Sequence, residues 1–485
     1  MSSEYGALDV NVNLPKRAVS NTIELPLFLN MVAISLSGAA LGNIILYRSC
    51  VHALNFPEEE CRPFLSPVKN NETNHLEADV QRYATFVSTV KMVLEAVVPA
   101  FLSFFLGAWS DTYGRKPLMV WSLLGSAITS MLLVIFGLMD NLGPWWYIAT
   151  VIPFSLTGGY VVLFTGAYCY VSDTSTKENT SLRMTMVDAT ASSGSVIGSI
   201  LSSYLILSIG NVYLLLLTST LNVFSYAFTN VYIKESLNGA LQGGSWRVLD
   251  LLLVKDMFRE CFKHRPDHRR TQIILISITK FLLIIVLYGT SSLEYLFTRT
   301  QLHWSLQDFT KYSALSTSLS FVGGFFGIMV VQKILGIGDI SFAIFAILST
   351  VAEYVLKICA ISWWYMYLGA LVSVFKGLSS ALTRSYISKI LPSEDVAKIF
   401  ALVCGFEGFA PLLAPLIYNS LYAATLATLP GAIYILSSIF ALVCVVMLGF
   451  VQYYHWRGSG AHYQRINSGM VHNSTGGSNV FEKEF

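Results

Sequence analysis

Long apolar runs, separated by short polar turns, recur from one end of the chain to the other. Twelve of them predict helices, at 25–47, 83–108, 117–139, 145–170, 184–208, 211–233, 271–296, 309–332, 340–360, 362–386, 398–421 and 429–452. Each has the roughly 20 residues that a ~30 Å hydrocarbon core demands. In lipid every backbone N–H and C=O must be paired within its element, so such runs predict helices rather than loops. One long polar interruption, 234–270, follows the sixth run. The expected layout is a cytosolic N-terminus 1–24, a first six-helix half 25–233, a cytosolic linker 234–270, a second half 271–452 and a cytosolic tail 453–485. Part of the linker, "SWRVLDLLLVKDMFRECF", has apolar residues at helical spacing with a basic opposite face. It is expected either to lie on the inner membrane surface or to tuck against the bundle.

An even number of crossings puts both termini on one side. Short loops with Arg115, Lys116, Lys177, Arg183, Lys333, Lys389 and Lys398, and the basic linker, fall on that same side, while the loops after spans 3, 5, 9 and 11 hold no Lys or Arg. The positive-inside rule makes that side cytosolic. Asn-x-Ser/Thr occurs at Asn71, Asn179 and Asn473. Only Asn71 falls on the expected outer side, so it is the expected glycan site.

Composition agrees with a bilayer. Of 485 residues, 54% are hydrophobic and 12% charged, half the ~25% charge of an ordinary soluble chain. The partner environment is therefore lipid, and a net charge of +2 argues against nucleic acid. The N-terminal "MSSEYGALDVNVNLPKR" lacks an apolar core, so insertion is expected to rely on the first span. The seven cysteines form no CxxC spacing and the eight histidines lie mostly in loops, so no metal or cofactor is expected. Cys169, Cys359, Cys404 and Cys444 sit in apolar runs as small packing residues. Cys50 and Cys61 share one polar loop and can bridge if that loop is extracytosolic.

Between the second and third spans stands "GAWSDTYGRKP". The pattern GxxxDxxGRK on the cytosolic side of a six-plus-six bundle resembles the best-known signature of the major facilitator superfamily. That resemblance implies an all-α integral membrane fold of twelve transmembrane helices in two pseudo-symmetric halves. It also implies a conformational latch: Gly107 permits close packing, Asp111 caps a neighbouring helix or pairs with Arg115 or another base, Gly114 makes the turn, and Lys116 completes the motif. The latch would hold the halves together while the outer side is open. The plainer alternative is a charged turn that only fixes orientation.

"FLGAWSDTYGRKPLMV", "YVSDTSTKENTSLRMTMVDAT", "LTRSYISKILPSEDVAKIF" and "IYNSLYAATL" resemble the proton-coupled folate transporter family, solute carrier family 46, from about Ile23 to Phe450. Around Asp188 and Glu407 the pattern is more similar to the lysosomal paralogue than to the folate carrier. Departures weaken folate as the substrate: the carrier's helix 7 histidine is matched by Leu287, and its acidic residue in helix 4 by Gly159. A family cysteine after helix 7 is matched by His303, so a Cys50–Cys61 bridge is the expected replacement.

Charged residues inside spans cost at least ~2.5–3.5 kcal/mol each and are functional candidates by default. Asp188, near the inner end of the fifth span, matches the family's coupling glutamate; helix capping is the alternative. A partly buried carboxylate there can load a proton outside and release it inside. Glu407 and Glu95 are further proton candidates. Arg384 matches a family arginine implicated in substrate and proton handling, and a guanidinium suits a bidentate grip on an anion; snorkelling to the interface is the alternative. Lys376, Lys280 and Lys91 complete the expected substrate-binding set, with Glu407 a possible counter-charge for Lys376. Lys91 and Glu95, four apart, share a face and can neutralise each other. Glu353 and Lys357 repeat that spacing in the ninth span, peripheral in this superfamily, and are read as structural. Gly194, Gly198, Gly323, Gly324 and Gly327 are expected to let spans 5 and 8 approach across the halves, with simple packing as the alternative.

The resulting expectation is secondary active transport: symport of protons with a small organic anion by alternating access. The resemblance offers folates, or bulky amphipathic solutes such as peptidoglycan fragments and lysosomal catabolites. A non-transporting receptor on a transporter fold and an uncoupled facilitative carrier are the alternatives. No Walker A loop and no catalytic constellation supports ATP drive or an enzyme. A monomer suffices for the expected function. "YQRI", Tyr463 to Ile466, has the Tyr-x-x-apolar pattern of endocytic and lysosomal sorting signals, so plasma membrane and endosome or lysosome both stay open as locations.

Overall fold

The computed structural model describes residues 23–65, 74–176, 178–237, 251–263, 268–304, 306–425 and 429–475. In chain order the helices are α1 (Glu24–Arg48), α2 (Glu58–Cys61), α3 (Asn74–Tyr113), α4 (Lys116–Leu138), α5 (Trp146–Leu156), α6 (Gly159–Thr174), α7 (Thr180–Tyr232) and α8 (Leu251–Phe262). Then follow α9 (Arg269–Gln301), α10 (Leu306–Phe326), α11 (Lys333–Leu335), α12 (Asp339–Ile358), α13 (Trp363–Val372), α14 (Leu378–Ile390), α15 (Ser393–Glu407), α16 (Ala410–Thr425) and α17 (Ala432–Thr475).

Ten described helical stretches are long and apolar enough to cross a membrane. Two of the expected spans are not among them, the fifth and the tenth. Both are helical, but both are rich in polar groups. The fifth forms the first part of α7 and carries Arg183 and Asp188. The tenth is split into α13 and α14 by a turn over 373–377 and carries Lys376 and Arg384. The fifth and sixth spans run on as one helix except at Gly210, where φ 80° and ψ 174° break the axis. A side chain at that φ would be strained, so glycine permits the reversal.

The first set of helices, up to Ile233, and the second, from Arg269, each have an apolar core. A third cluster joins them: Leu163, Met184 and Val187 from the first set pack with Leu378, Leu382 and Phe400 from the second. Contacts between the sets gather toward the end that carries the 107–117 turn. Ser172 and Ser388 hydroxyls are 2.5 Å apart, and those of Ser181 and Ser385 2.7 Å. Lys389 donates to Ser181 at 3.3 Å and to Asp339 at 2.7 Å, and Ser181 and Ser385 also donate to Asp339. Higher up, α3 and α15 meet so closely that a Cβ on Gly405 would lie 2.5 Å from the Phe104 ring.

Most of the clustered glycines match the simple-packing reading. Gly194 and Gly198 face α1: a Cβ there would lie 2.8 Å from the Phe28 carbonyl and 2.5 Å from that of Val32. Gly323 and Gly327 face the 373–378 region, against Val374, Phe375 and Leu378. Only Gly324 looks across to the first set, toward Thr185. The small residues therefore mainly let each set pack within itself.

In the linker, the Phe258 ring of α8 lies tilted against that of Phe104, centroids 5.9 Å apart, and Val254 and Phe258 pack on the shared core. Of the two readings of the linker, the described part matches the one tucked against the bundle. At the opposite end of the molecule, Cys50 and Cys61 are disulfide-bonded with Cα atoms 5.8 Å apart. Beside them buried Arg48 donates to the Met139 and Leu142 carbonyls at 2.9 and 3.1 Å and lies 3.8 Å over the Phe136 ring. A cation on these carbonyls complements the C-terminus of α4. Asn71 lies outside the described residues.

Candidate functional site

Where α6, α7, α9, α14 and α15 converge, four opposite charges meet. Arg384 of α14 is 6% exposed. Its Nη2 donates to Glu407 Oε2 of α15 at 2.9 Å, and its Nη1 lies 3.9 Å from Asp188 Oδ1 of α7. Lys280 of α9, 2% exposed, is 3.2 Å from Glu407 Oε1. Both bases also donate to Ser380 Oγ, Arg384 at 2.6 Å and Lys280 at 3.2 Å. Tyr168 of α6 donates a short hydrogen bond to Asp188, and its ring lies 4.0 Å under the Arg384 guanidinium. Cys404, one turn before Glu407, is buried.

Two carboxylates and two cations sum to zero, which is how a bundle interior tolerates them. The arrangement is asymmetric. Glu407, Arg384 and Lys280 belong to the second set and hold one another tightly. Asp188 and Tyr168 belong to the first set and meet the guanidinium at longer range. The Asp188 Oδ2 atom is buried without a hydrogen-bond partner, while the side chain as a whole is 27% exposed. Asp188 thus joins the two sets through a single long ion pair.

The geometry revises several expectations. Asp188 lies more than two turns inside α7, which starts at Thr180, and its partners are Tyr168 and Arg384; helix capping is not its role. Arg384 does not snorkel, since its head is buried on Glu407 and Ser380. Glu407 is balanced by Arg384 and Lys280, not by Lys376. Lys376 reaches Glu353 at 3.3 Å instead, because the 373–377 turn carries it toward α12. Glu353 and Lys357 are not a peripheral pair: they are 1% and 4% exposed, paired at 2.6 Å, and Lys357 also holds Glu294 of α9 at 2.6 Å. Lys91 and Glu95 pair with each other at 2.9 Å, beside the Tyr147 ring and within the first set.

At the latch, Gly114 has φ 115°, and a Cβ there would lie 2.4 Å from a Glu235 oxygen, so the turn requires glycine. Glu235 accepts the Arg115 and Lys116 backbone N–H groups at 2.8 and 3.1 Å, which caps α4. The Arg115 side chain, 1% exposed, pairs with Asp173 at 3.1 Å and donates to Ser110 at 3.0 Å. Lys116 Nζ donates to the Asn230 carbonyl at 2.6 Å, and Ser110 to that of buried Gly107 at 2.7 Å. These described ties bind the first set to itself, and the side chain of Asp111 lies outside the description. The side chains of Tyr463 and Ile466 do too.

Sequence reasoning missed Tyr168, Ser380, Asp173, Glu235 and Glu294. Tyr168 and Ser380 sit in apolar or mixed runs with no pattern to single them out. Asp173 and Glu235 do stand at the ends of spans, where an acid beside a basic turn is a readable signal.

A fold of paired helix sets, closed on each other at one end around a charged cluster, defines a class of membrane carrier. The Major Facilitator Superfamily is matched over residues 28–352. The chain belongs to that superfamily, and is a multi-pass membrane transporter rather than an enzyme. Within it, the chain is similar to members of solute carrier family 46. It is 28% identical over 436 residues to the probable peptidoglycan muropeptide transporter SLC46 of Drosophila melanogaster, covering 87% of this chain and 83% of that one. It is 26% identical over 387 residues to the lysosomal proton-coupled steroid conjugate and bile acid symporter SLC46A3 of Mus musculus, covering 77% and 82%. The crystal structure of the human organic anion transporter MFSD10 (TETRAN) shares the fold, with a TM-score of 0.68 at 16% identity, covering 90% of this chain and all of that one.

Proposed function

We propose that this protein is a proton-coupled symporter of organic anions that works by alternating access between two six-helix halves, 25–233 and 271–452. The observation that carries the reading is the Asp188–Arg384 pair at 3.9 Å, the charged link between the sets inside the cluster. Protonation of Asp188 removes the charge that attracts Arg384. The guanidinium is then free for a carboxylate or sulfate, for which its fork is suited. Lys280 keeps Glu407 compensated while Arg384 is occupied by substrate. The serine and Lys389 contacts at the motif end close the inner side, so Asp188 loads its proton from outside and delivers it inside. Glu95 and Lys91, paired with each other, take no direct part.

The names of the relatives support bulky amphipathic anions, muropeptides or steroid conjugates, over folate, in keeping with Leu287, Gly159 and His303 where the folate carrier differs. The lysosomal relative and the YQRI segment together favour an endolysosomal membrane with both termini cytosolic. The test is uptake of labelled muramyl dipeptide and estrone sulfate into proteoliposomes. Accumulation of at least one, driven by an imposed inward proton gradient and abolished by a protonophore, is expected. Equal uptake with and without the gradient overturns coupling; no uptake of either probe overturns the substrate class.

A further inference from the structure

A second ionic network lies within the second set of helices, and the transport step above does not use it. Its centre is Glu353 of α12, which holds Lys357 at 2.6 Å and Lys376 at 3.3 Å. Lys357 is shared with Glu294 of α9 at 2.6 Å and lies over the rings of Tyr312 and Tyr434, at 5.8 and 5.4 Å. Tyr312 of α10 donates to Glu294 at 3.3 Å. Lys376 also donates to Ser316 of α10 at 3.0 Å. The described charged groups here are two carboxylates and two ammoniums, drawn from α9, α12 and the 373–377 turn; α10 and α17 contribute the phenols of Tyr312 and Tyr434.

The network has a buried middle and two accessible ends. The Glu353 and Lys357 side chains are 2% and 5% exposed, whereas Lys376 is 29% and Glu294 21% exposed. A long flexible ammonium at an accessible end, next to a hydroxyl, is the group an arriving anion can capture. Its loss from Glu353 is tolerable because Lys357 remains at 2.6 Å.

We infer that Lys376 Nζ and Ser316 Oγ form a second oxyanion subsite, for a further carboxylate or sulfate group of a substrate that carries two, and that Glu294 takes up one proton when the subsite fills. The inference rests on the transport reading. Its logic is charge conservation. The empty network is neutral. Once the oxyanion pairs with Lys376, Glu353 and Glu294 share the single cation Lys357, which leaves one negative charge in a poorly solvated site. Such a charge is strongly unfavourable. One proton from bulk water bonding to a Glu294 carboxylate oxygen restores neutrality, and no other bond is made or broken. Glu294 receives it because its side chain is the accessible carboxylate of the two. Substrate binding at this end therefore draws in a proton in addition to the one at Asp188.

The experiment is isothermal titration calorimetry of the purified full-length protein with estradiol 3-sulfate 17-glucuronide, which carries two anionic groups, and with estrone sulfate, which carries one, in buffers of different ionisation enthalpy, which counts protons taken up per ligand bound. With the dianionic probe wild type is expected to take up close to two, Asp188→Asn and Glu294→Gln close to one each. Lys376→Gln should weaken binding about tenfold or more, as expected for the loss of a charge-assisted hydrogen bond, and Lys376→Arg should recover much of it. With the dianionic probe, a wild-type count of one that vanishes in Asp188→Asn leaves the transport reading standing and overturns this one, as does an unchanged affinity in Lys376→Gln. Failure of both probes to bind overturns both readings. If Glu294→Gln does not fold, the wild-type count alone separates two protons from one.

Discussion

Arg384 and Asp188 face each other across the two sets of helices with Nη1 and Oδ1 3.9 Å apart, while Arg384 grips Glu407 of its own set at 2.9 Å. The short pair keeps the arginine in place; the long pair is the one a proton can undo.

Asp188→Asn mimics a permanently protonated carboxyl. It should still exchange substrate across the membrane, since exchange needs no net proton release, but should not concentrate it. Asp188→Glu should keep coupling. Counterflow and gradient-driven uptake in proteoliposomes separate the two activities. Proton-driven accumulation by the Asn variant would remove Asp188 from the coupling step.

Arg384→Ala leaves Glu407 with Lys280 alone and removes the cation that faces Asp188. Breaking a buried pair costs about 3–5 kcal/mol, so the thermal midpoint in detergent should fall along with uptake. Arg384→Lys should restore stability better than transport, because an ammonium cannot reproduce the fork. Full transport in Arg384→Lys would mean that charge alone suffices.

The turn at 107–117 yields two separable expectations. Arg115→Ala strips Asp173 of its cationic partner and should destabilise the first set by about 3 kcal/mol, read as a lower thermal midpoint. Asp111→Ala should insert normally yet transport more slowly, because the outward-open state loses a tie. Normal uptake by a well-expressed Asp111→Ala protein would reduce the turn to an orientation signal.

Asn71→Gln should remove the N-glycan and raise gel mobility by one glycan's worth. A glycan at Asn179 or Asn473 would place the expected cytosolic face outside and invert the topology.

Much of the fold was legible because hydrocarbon imposes a length on every crossing. Each apolar run falls on helix, but the helix bounds differ from the runs: α3 already starts at Asn74, α17 runs on to Thr475, and the fourth, tenth and eleventh runs are each broken into two helices. The two spans that fall short of the apolar standard, 180–209 and 363–390, are the ones that carry Asp188 and Arg384, so a departure from the pattern was itself the pointer to the site.

Sequence alone determined which residues are charged inside the membrane, because periodicity and burial cost are local properties of a run. It could not determine which of them meet. Pairing Glu407 with Lys376 was reasonable by depth, yet the turn at 373–377 rotates Lys376 toward Glu353 and leaves Glu407 to Arg384 and Lys280. The same holds for Glu353 and Lys357, whose i,i+4 spacing is ordinary until α9 supplies Glu294 beside them. Ion pairs between helices depend on the rotation and breaks of each helix, and only packing against the neighbours sets those.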